Sequence, residues 1–86
     1  MEGEQNMLNS FAEKHFIIGA KQVKNAINAG KAAKVYIASD SDDAVILPIE
    51  ELCRKHEIPV FYIGTRKELG EMCRIDVKAA CAVETV

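Results

Sequence analysis

The chain has 86 residues, 49% of them hydrophobic and 28% charged, with only two prolines. This size suits one hydrophobic core, and the composition excludes a disordered or fibrous chain. No uncharged apolar stretch approaches the roughly 20 residues that cross a bilayer, and the amino terminus carries acids where a signal peptide carries bases. We therefore expect a single soluble domain over residues 1–86, cytoplasmic and monomeric.

The first third of the chain predicts two helices separated by a short apolar run. Apolar residues recur at intervals of three and four over residues 5–15, which is typical of an amphipathic helix. The apolar residues 16–18 end at Gly19, and residues 21–29 predict a second helix that stops at Gly30. The residues of this second helix that we expect in the core are Val23, Ala26 and Ile27.

Strands and a further helix are predicted in the middle of the chain. Residues 35–38 are β-branched and aromatic, which predicts a buried strand, and residues 58–63 predict another. Between them a helix is predicted near residues 44–56, although this segment contains Pro48. Because proline is tolerated in the first turn of a helix, we expect this helix to start near Leu47.

The carboxyl-terminal third predicts one more helix and one more strand. Thr65 and Glu68 have the spacing of a capping box, in which each side chain bonds the other residue's backbone N–H. Residues 79–83 are small and apolar and predict the last strand. Because strands alternate with helices, we expect a three-layer α/β/α sandwich with a central mixed sheet of about four strands.

The residue types that carry metal or acyl-transfer chemistry do not form a recognisable motif. The three cysteines, Cys53, Cys73 and Cys81, include no C-x-x-C pair, so we expect buried thiols rather than a zinc site or disulfides. The acidic run at residues 40–43 lacks the glycine of a calcium loop, since Val45 stands there. Neither histidine lies next to a serine or cysteine motif. We therefore expect no catalytic site, no metal and no cofactor.

The formal net charge of −2 conceals a separation of charge along the chain. Residues 19–39 contain four lysines and no acid, whereas residues 40–51 contain five acids and no base. A helix start presents unbonded N–H groups that bind phosphate. Helical spacing places four polar residues of the second helix in one sector: Lys21, Lys24, Asn25 and Asn28. This polar face suits either a structured RNA or solvent.

Five segments of the chain form an ordered set of motifs. They are G-A-K-Q-V-K-N-A at 19–26, V-Y-I-A-S-D at 35–40, L-C-R-K-H-E-I-P at 52–59, K-E-L-G at 67–70 and I-D-V at 75–77. The set resembles the L7Ae and L30e family of ribosomal and kink-turn RNA-binding proteins, over about residues 8–83. Lys21 is similar to bacterial members, because archaeal and eukaryotic members usually have asparagine there.

The resemblance implies a three-layer domain that binds kink-turns, which are sharply bent RNA helices with tandem sheared G·A pairs at the bend. By this resemblance, Lys21 and Gln22 contact the guanines. Lys24 and the helix start near Gly19 and Ala20 hold the RNA backbone. The implied partner is a structured RNA element of ribosomal or messenger RNA, with or without the ribosome.

A second set of candidate residues comes from the I-D-V loop. The resemblance implies that Ile75 and Val77 pack on unstacked nucleotides, although burial in the protein core is an equal alternative for each. Asp42 is a weaker candidate beside them. The candidate set is completed by Asn25, Asp76 and Lys78.

Two residues depart from the family pattern. Asn25 replaces a frequent lysine, which removes a charge that would contact phosphate. Arg74 replaces the usual glycine before the loop, so it returns a charge but strains a turn that suits glycine.

Three functions stay open at this point: a non-catalytic protein that captures a kinked RNA, a protein-interaction module that uses the acidic segment 40–51, and an enzyme acting on a small molecule. The first has the strongest support in the sequence, and the enzyme has the weakest. The first also requires the Gly19 helix start and the Ile75 loop to lie side by side.

Overall fold

The computed structural model describes residues 16–86, so the helix predicted over residues 5–15 lies outside the described residues. Four strands and three helices alternate in this part of the chain. In chain order they are β1 (Phe16–Ile18), α1 (Ala20–Asn28), β2 (Ala32–Ala38), α2 (Asp43–His56), β3 (Val60–Ile63), α3 (Arg66–Met72) and β4 (Cys81–Thr85).

The four strands form one mixed sheet in the order β1-β4-β2-β3. Strands β2 and β3 are parallel, with Val35 opposite Val60, and α2 is the helix that connects them. Strand β4 lies between β1 and β2 and is antiparallel to both, with Ala82 opposite Ile18 and Tyr36. This arrangement confirms the predicted four-stranded mixed sheet.

Helices cover both faces of the sheet, which confirms the three-layer sandwich. On one face, α1 and α2 pack against the alternate residues of β2 and β4 that point toward them. The buried residues of this core are Val23, Ala26, Ile27, Val35, Ile37, Ile49, Cys53, Cys81 and Val83. On the other face, Leu69 of α3 packs with the buried alanines Ala38, Ala79 and Ala82. The predicted core stripe of α1 is therefore confirmed.

Helix α2 starts at Asp43, and the predicted start near Leu47 is wrong. The carbonyl of Asp42 already accepts the N–H of Ile46 at 3.0 Å, so a complete turn precedes the proline. An acid in the first turn is favourable because the helix dipole is positive there. Pro48 lies inside the helix, at the cost of the bond that its missing N–H would make to Ala44.

The predicted strands are correct in type but shifted at their ends. Strand β2 begins at Ala32, three residues before its predicted start, and β3 begins at Val60, after Pro59. Strand β4 spans Cys81–Thr85 rather than residues 79–83. The register explains this last shift, because Thr85 pairs with Ala32 at the extended end of β2.

All three helices end in the same way, with one residue in the left-handed region. These residues are Gly30, Glu57 and Arg74, with φ of 74°, 58° and 62°. In each case the next residue's N–H bonds back to a carbonyl five residues earlier, as Ile75 does to Gly70 at 3.0 Å. This is the Schellman arrangement, whose left-handed position glycine usually occupies.

The cysteines are free thiols; Cys53 and Cys81 are buried, as predicted, whereas Cys73 is only half-buried. Burial raises the pKa of Cys53 to about 11, with a smaller contribution from the carboxylate of Glu50. Burial also raises the pKa of Cys81 to about 11, against an opposing effect of Lys24. These two thiols are therefore protonated at neutral pH.

Candidate nucleic-acid interface

Helix α1 begins without a side-chain cap. Gly19 is its N-cap residue, and the first bond along the helix runs from the N–H of Val23 to the carbonyl of Gly19 at 2.8 Å. The N–H groups of Ala20, Lys21 and Gln22 consequently have no acceptor within the helix, and its first turn contains no acid. Such a helix start is chemically suited to an anion such as phosphate.

The conformation of Gly19 sets how this helix leaves the sheet. Its φ of 108° belongs to the region that side chains disfavour, and a Cβ there would lie 2.8 Å from Oε1 of Gln22. The amide of Gln22 therefore lies across the helix start, close to the N–H groups that have no partner in the helix.

Three of the four residues predicted for the polar face of α1 are exposed. They are Lys21, Asn25 and Asn28, whereas Lys24 is half-buried. Gln22 is exposed as well. Lys24 lies near the start of β4, where its charge acts to lower the pKa of Cys81. Asn25 lies farther along the helix, beside an apolar groove of about 290 Å³ between α1 and β1.

The second part of the site is the loop between α3 and β4. Ile75 is half-buried and packs against the core cluster that contains Leu69, so the interpretation as a buried residue applies to it in part. Val77 is 68% exposed, and Asp76 and Lys78 are exposed with it. Val77 is therefore the apolar residue that this loop presents to solvent.

Close backbone contacts hold the loop against α3. The N–H of Ala79 donates to the carbonyl of Arg66 at 3.1 Å. The carbonyl of Val77 lies directly over Gly70, where a Cβ would overlap its oxygen. The loop position therefore depends on the lack of a side chain at residue 70.

Three segments meet at the start of β4. The N–H of Gly19 donates to the carbonyl of Cys81 at 3.2 Å. The carbonyl of Ala80 accepts the N–H of Ala38 at 2.9 Å and Oγ of Ser41 at 3.2 Å. The helix start, the turn after β2 and the loop therefore lie at the same end of the sheet. Asp42, which is exposed, lies in that turn.

A cleft of about 400 Å³ separates the loop from α3. Its lining residues are Lys67, Glu71, Ile75, Asp76, Val77 and Lys78. Lys67 was not among the predicted site residues, although it opens the K-E-L-G motif. The feature that could have identified Lys67 is its position in the first turn of the helix that packs against the loop. The cleft thus holds two cations, Lys67 and Lys78, and two acids beside the exposed apolar residue Val77.

The turn after β2 is tied to α3 by one acid. Oδ1 of Asp40 accepts the backbone N–H of Arg66 at 2.9 Å and pairs with Nε of the same residue at 3.4 Å. This carboxylate is therefore partly neutralised.

Within residues 16–86, no group of three or more His, Cys, Asp or Glu side chains is arranged to hold a metal ion. No helix in the same range has both the length and the apolar character of a membrane span.

Comparison with known proteins identifies the family. Residues 1–86 match the family described as ribosomal protein L7Ae/L30e/S12e/Gadd45. The chain belongs to this family. An RNA-binding protein of Caldanaerobacter subterraneus subsp. tengcongensis is 46% identical over 70 residues, which are 81% of this chain and 85% of that protein. An RNA-binding protein of Geobacillus kaustophilus is 38% identical over 64 residues, 74% of this chain and 78% of that protein.

Structural comparison agrees with this assignment. The 15.5kD RNA-binding protein of Giardia lamblia has a TM-score of 0.79 and 26% identity, covering all of this chain and 76% of that one. Most of this L7Ae-type chain therefore has counterparts in relatives that carry the same fold.

Proposed function

We infer that this chain is a non-catalytic RNA-binding protein that recognises kink-turn RNA and stabilises its bent conformation. The observation that carries this proposal is the hydrogen bond between Gly19 and Cys81, which brings the open helix start and the Val77 loop to one end of the sheet. Membership of the L7Ae family and the RNA-binding proteins among its relatives support the same function. We place the protein in the cytoplasm, as a monomer, with or without attachment to the ribosome.

The helix start supplies the polar half of the proposed interface. The exposed side chains of Lys21 and Gln22 donate hydrogen bonds to the edges of the guanines in the G·A pairs. Lys24 and the N–H groups of α1 bind the phosphates next to them. Gln22 lies over the glycine that opens the helix, so its amide is held close to those phosphates.

The loop supplies the apolar half. Val77 packs on an unstacked nucleotide, and Lys67 and Lys78 at the cleft beside it contact phosphate. Ile75 supports the loop from within the core. Asp42, Asn25 and Asp76 complete the proposed surface at its edges.

The mechanism is binding of one conformer of the RNA. A duplex with an internal G·A element exchanges between an extended and a kinked form, and a protein that fits only the kinked form shifts that equilibrium. The required free energy comes from the difference in affinity between the two forms. No covalent step is involved.

A gel-shift titration tests the proposal with a kink-turn RNA and with the same RNA after its G·A pairs are replaced by Watson–Crick pairs. We expect tight binding to the first RNA only. Lys21→Ala and Gln22→Ala should each weaken binding about tenfold, because each removes hydrogen bonds to the RNA.

The matched control is Lys55→Ala, an exposed lysine at the end of α2, at the opposite end of the sheet. This variant should bind as the wild type does, while circular dichroism shows that all three variants remain folded. Equal affinity of the wild type, Lys21→Ala and Gln22→Ala for the kink-turn would contradict the proposal. Absence of salt-dependent RNA binding would instead favour the protein-interaction module on residues 40–51.

A further inference from the structure

Arg74 occupies a backbone conformation that suits glycine. Its φ is 62°, and its N–H donates to the carbonyl of Glu71 at 3.0 Å in the turn that ends α3. Side chains in the left-handed region are disfavoured by contacts of the Cβ with the backbone. Arginine at this position therefore costs the fold stability that glycine would not.

The arginine side chain makes no compensating polar contact in the described part of the chain. Arg74 is exposed, and within residues 16–86 its guanidinium has neither an ion pair nor a hydrogen bond. The side chain thus leaves the strain of its own backbone uncompensated.

Its charge, however, decides the electrostatic sign of the loop. The loop residues 73–80 contain two basic side chains and one acidic side chain, so without Arg74 they would be neutral. Arg66 of α3 is already paired with Asp40. Among the described residues the unpaired cations of α3 and the loop are Lys67, Arg74 and Lys78.

We propose that Arg74 is an additional phosphate-binding residue of the RNA interface, held in a strained backbone conformation in the turn that joins α3 to the Val77 loop. The inference rests on the proposed RNA-binding function. A guanidinium binds phosphate with two parallel hydrogen bonds, which suits a phosphate at the bend of an RNA backbone. Asn25 of α1 is uncharged where family members frequently have lysine. Arg74 supplies a positive charge from the loop instead.

The test is the variant Arg74→Gly, measured for both thermal stability and affinity for the kink-turn RNA. We expect the melting temperature to rise by about 4 °C, because glycine relieves the strain. We expect the affinity at low salt to fall about three- to tenfold, and the slope of log affinity against log salt to decrease by about one. Arg74→Lys should keep the salt slope, because it keeps the charge.

Glu57→Gly is the matched control, since Glu57 occupies the same left-handed position at the end of α2, before β3 and away from the interface. It should raise the melting temperature in the same way and leave RNA affinity unchanged. Wild-type affinity and salt slope in Arg74→Gly, with weakened binding in Lys21→Ala, would overturn the role of Arg74 alone. Wild-type affinity in Lys21→Ala and Gln22→Ala would overturn the RNA-binding function itself.

Discussion

Gly70 controls the position of the loop through the space above its Cα. The carbonyl of Val77 occupies the volume that a side chain would need, and residue 70 is itself buried. A methyl group there must displace backbone rather than the end of a flexible side chain. The geometry of the cleft between Lys67 and Lys78 therefore depends on the glycine.

We predict that Gly70→Ala lowers the free energy of unfolding by about 2 to 4 kcal/mol, since overpacking displaces the loop backbone. Gly30→Ala is the control, because it also lies at a helix end but has nothing within 4 Å of the new methyl. It should cost only about 1 kcal/mol, from its positive φ. Urea unfolding of both variants measures the difference, and equal losses would show that the contact with Val77 does not matter.

At the residue scale, the sequence predicted the polar residues of α1, but it did not predict which apolar residue of the loop is buried and which is exposed. Spacing alone could not distinguish Ile75 from Val77, because the loop has no periodicity. The half-burial of Ile75 follows from the turn at Arg74, which directs the next residue toward Leu69. Lys67 was missed because its place beside the loop depends on how α3 packs.

Helix α3 is short, and its start is stabilised by a complete capping box. Oγ1 of Thr65 accepts the N–H of Glu68 at 3.1 Å, and Oε1 of Glu68 accepts the N–H of Thr65 at 3.1 Å. Two backbone donors that would otherwise lack partners are thus satisfied. Because α3 is one wall of the cleft, its cap also supports the candidate interface.

We predict that Thr65→Ala lowers the free energy of unfolding by about 1 kcal/mol, because the cap acceptor is lost. Thr65→Ser keeps an oxygen at the same place and should lose much less. Thermal unfolding compares the two variants, and a shift of about 4 to 8 °C for alanine is expected in a domain of this size. Identical melting temperatures for alanine and serine would show that the cap makes no contribution.

At the element scale, the predicted ends of an element are accurate where glycines mark them. Helix α1 is predicted to within one residue at each end because Gly19 and Gly30 flank it. The predicted start of α2 is wrong because the preference of proline for a first turn is local, and tertiary packing overrides it. The packing of Ile49 and Cys53 stabilises the whole helix, including the turn that precedes Pro48.

The two buried thiols make the whole molecule less stable as the pH rises into the alkaline range. Both Cys53 and Cys81 have a pKa of about 11 in the folded state, whereas an exposed thiol has a pKa of about 8.5. The unfolded chain therefore releases these protons first as pH rises. The stability from these groups is fully present below about pH 8.5 and is lost progressively toward pH 11.

We predict that the urea midpoint falls between about pH 8.5 and pH 11. The double variant Cys53→Ala, Cys81→Ala should be less stable at neutral pH, because it leaves cavities in the core. Its stability should nevertheless decline less steeply over this pH range. Equal slopes for the two proteins would assign the alkaline loss to other groups.

Over the whole molecule, alternation of helices and strands was sufficient to predict the layers but not the neighbours within the sheet. The place of β4 between β1 and β2 depends on pairing between residues more than forty positions apart, such as Ile18 and Ala82. Local patterns contain no information on such pairing. The RNA-binding hypothesis requires the helix start and the loop to lie close together. The sequence alone does not predict that they do.

The central place of β4 has a consequence for biosynthesis. Every other element described here precedes β4 in the chain, yet this strand separates β1 from β2. A nascent chain that stops before Cys81 has both halves of the interface and nothing to align them. Under the proposed function, RNA binding therefore requires that translation has completed β4.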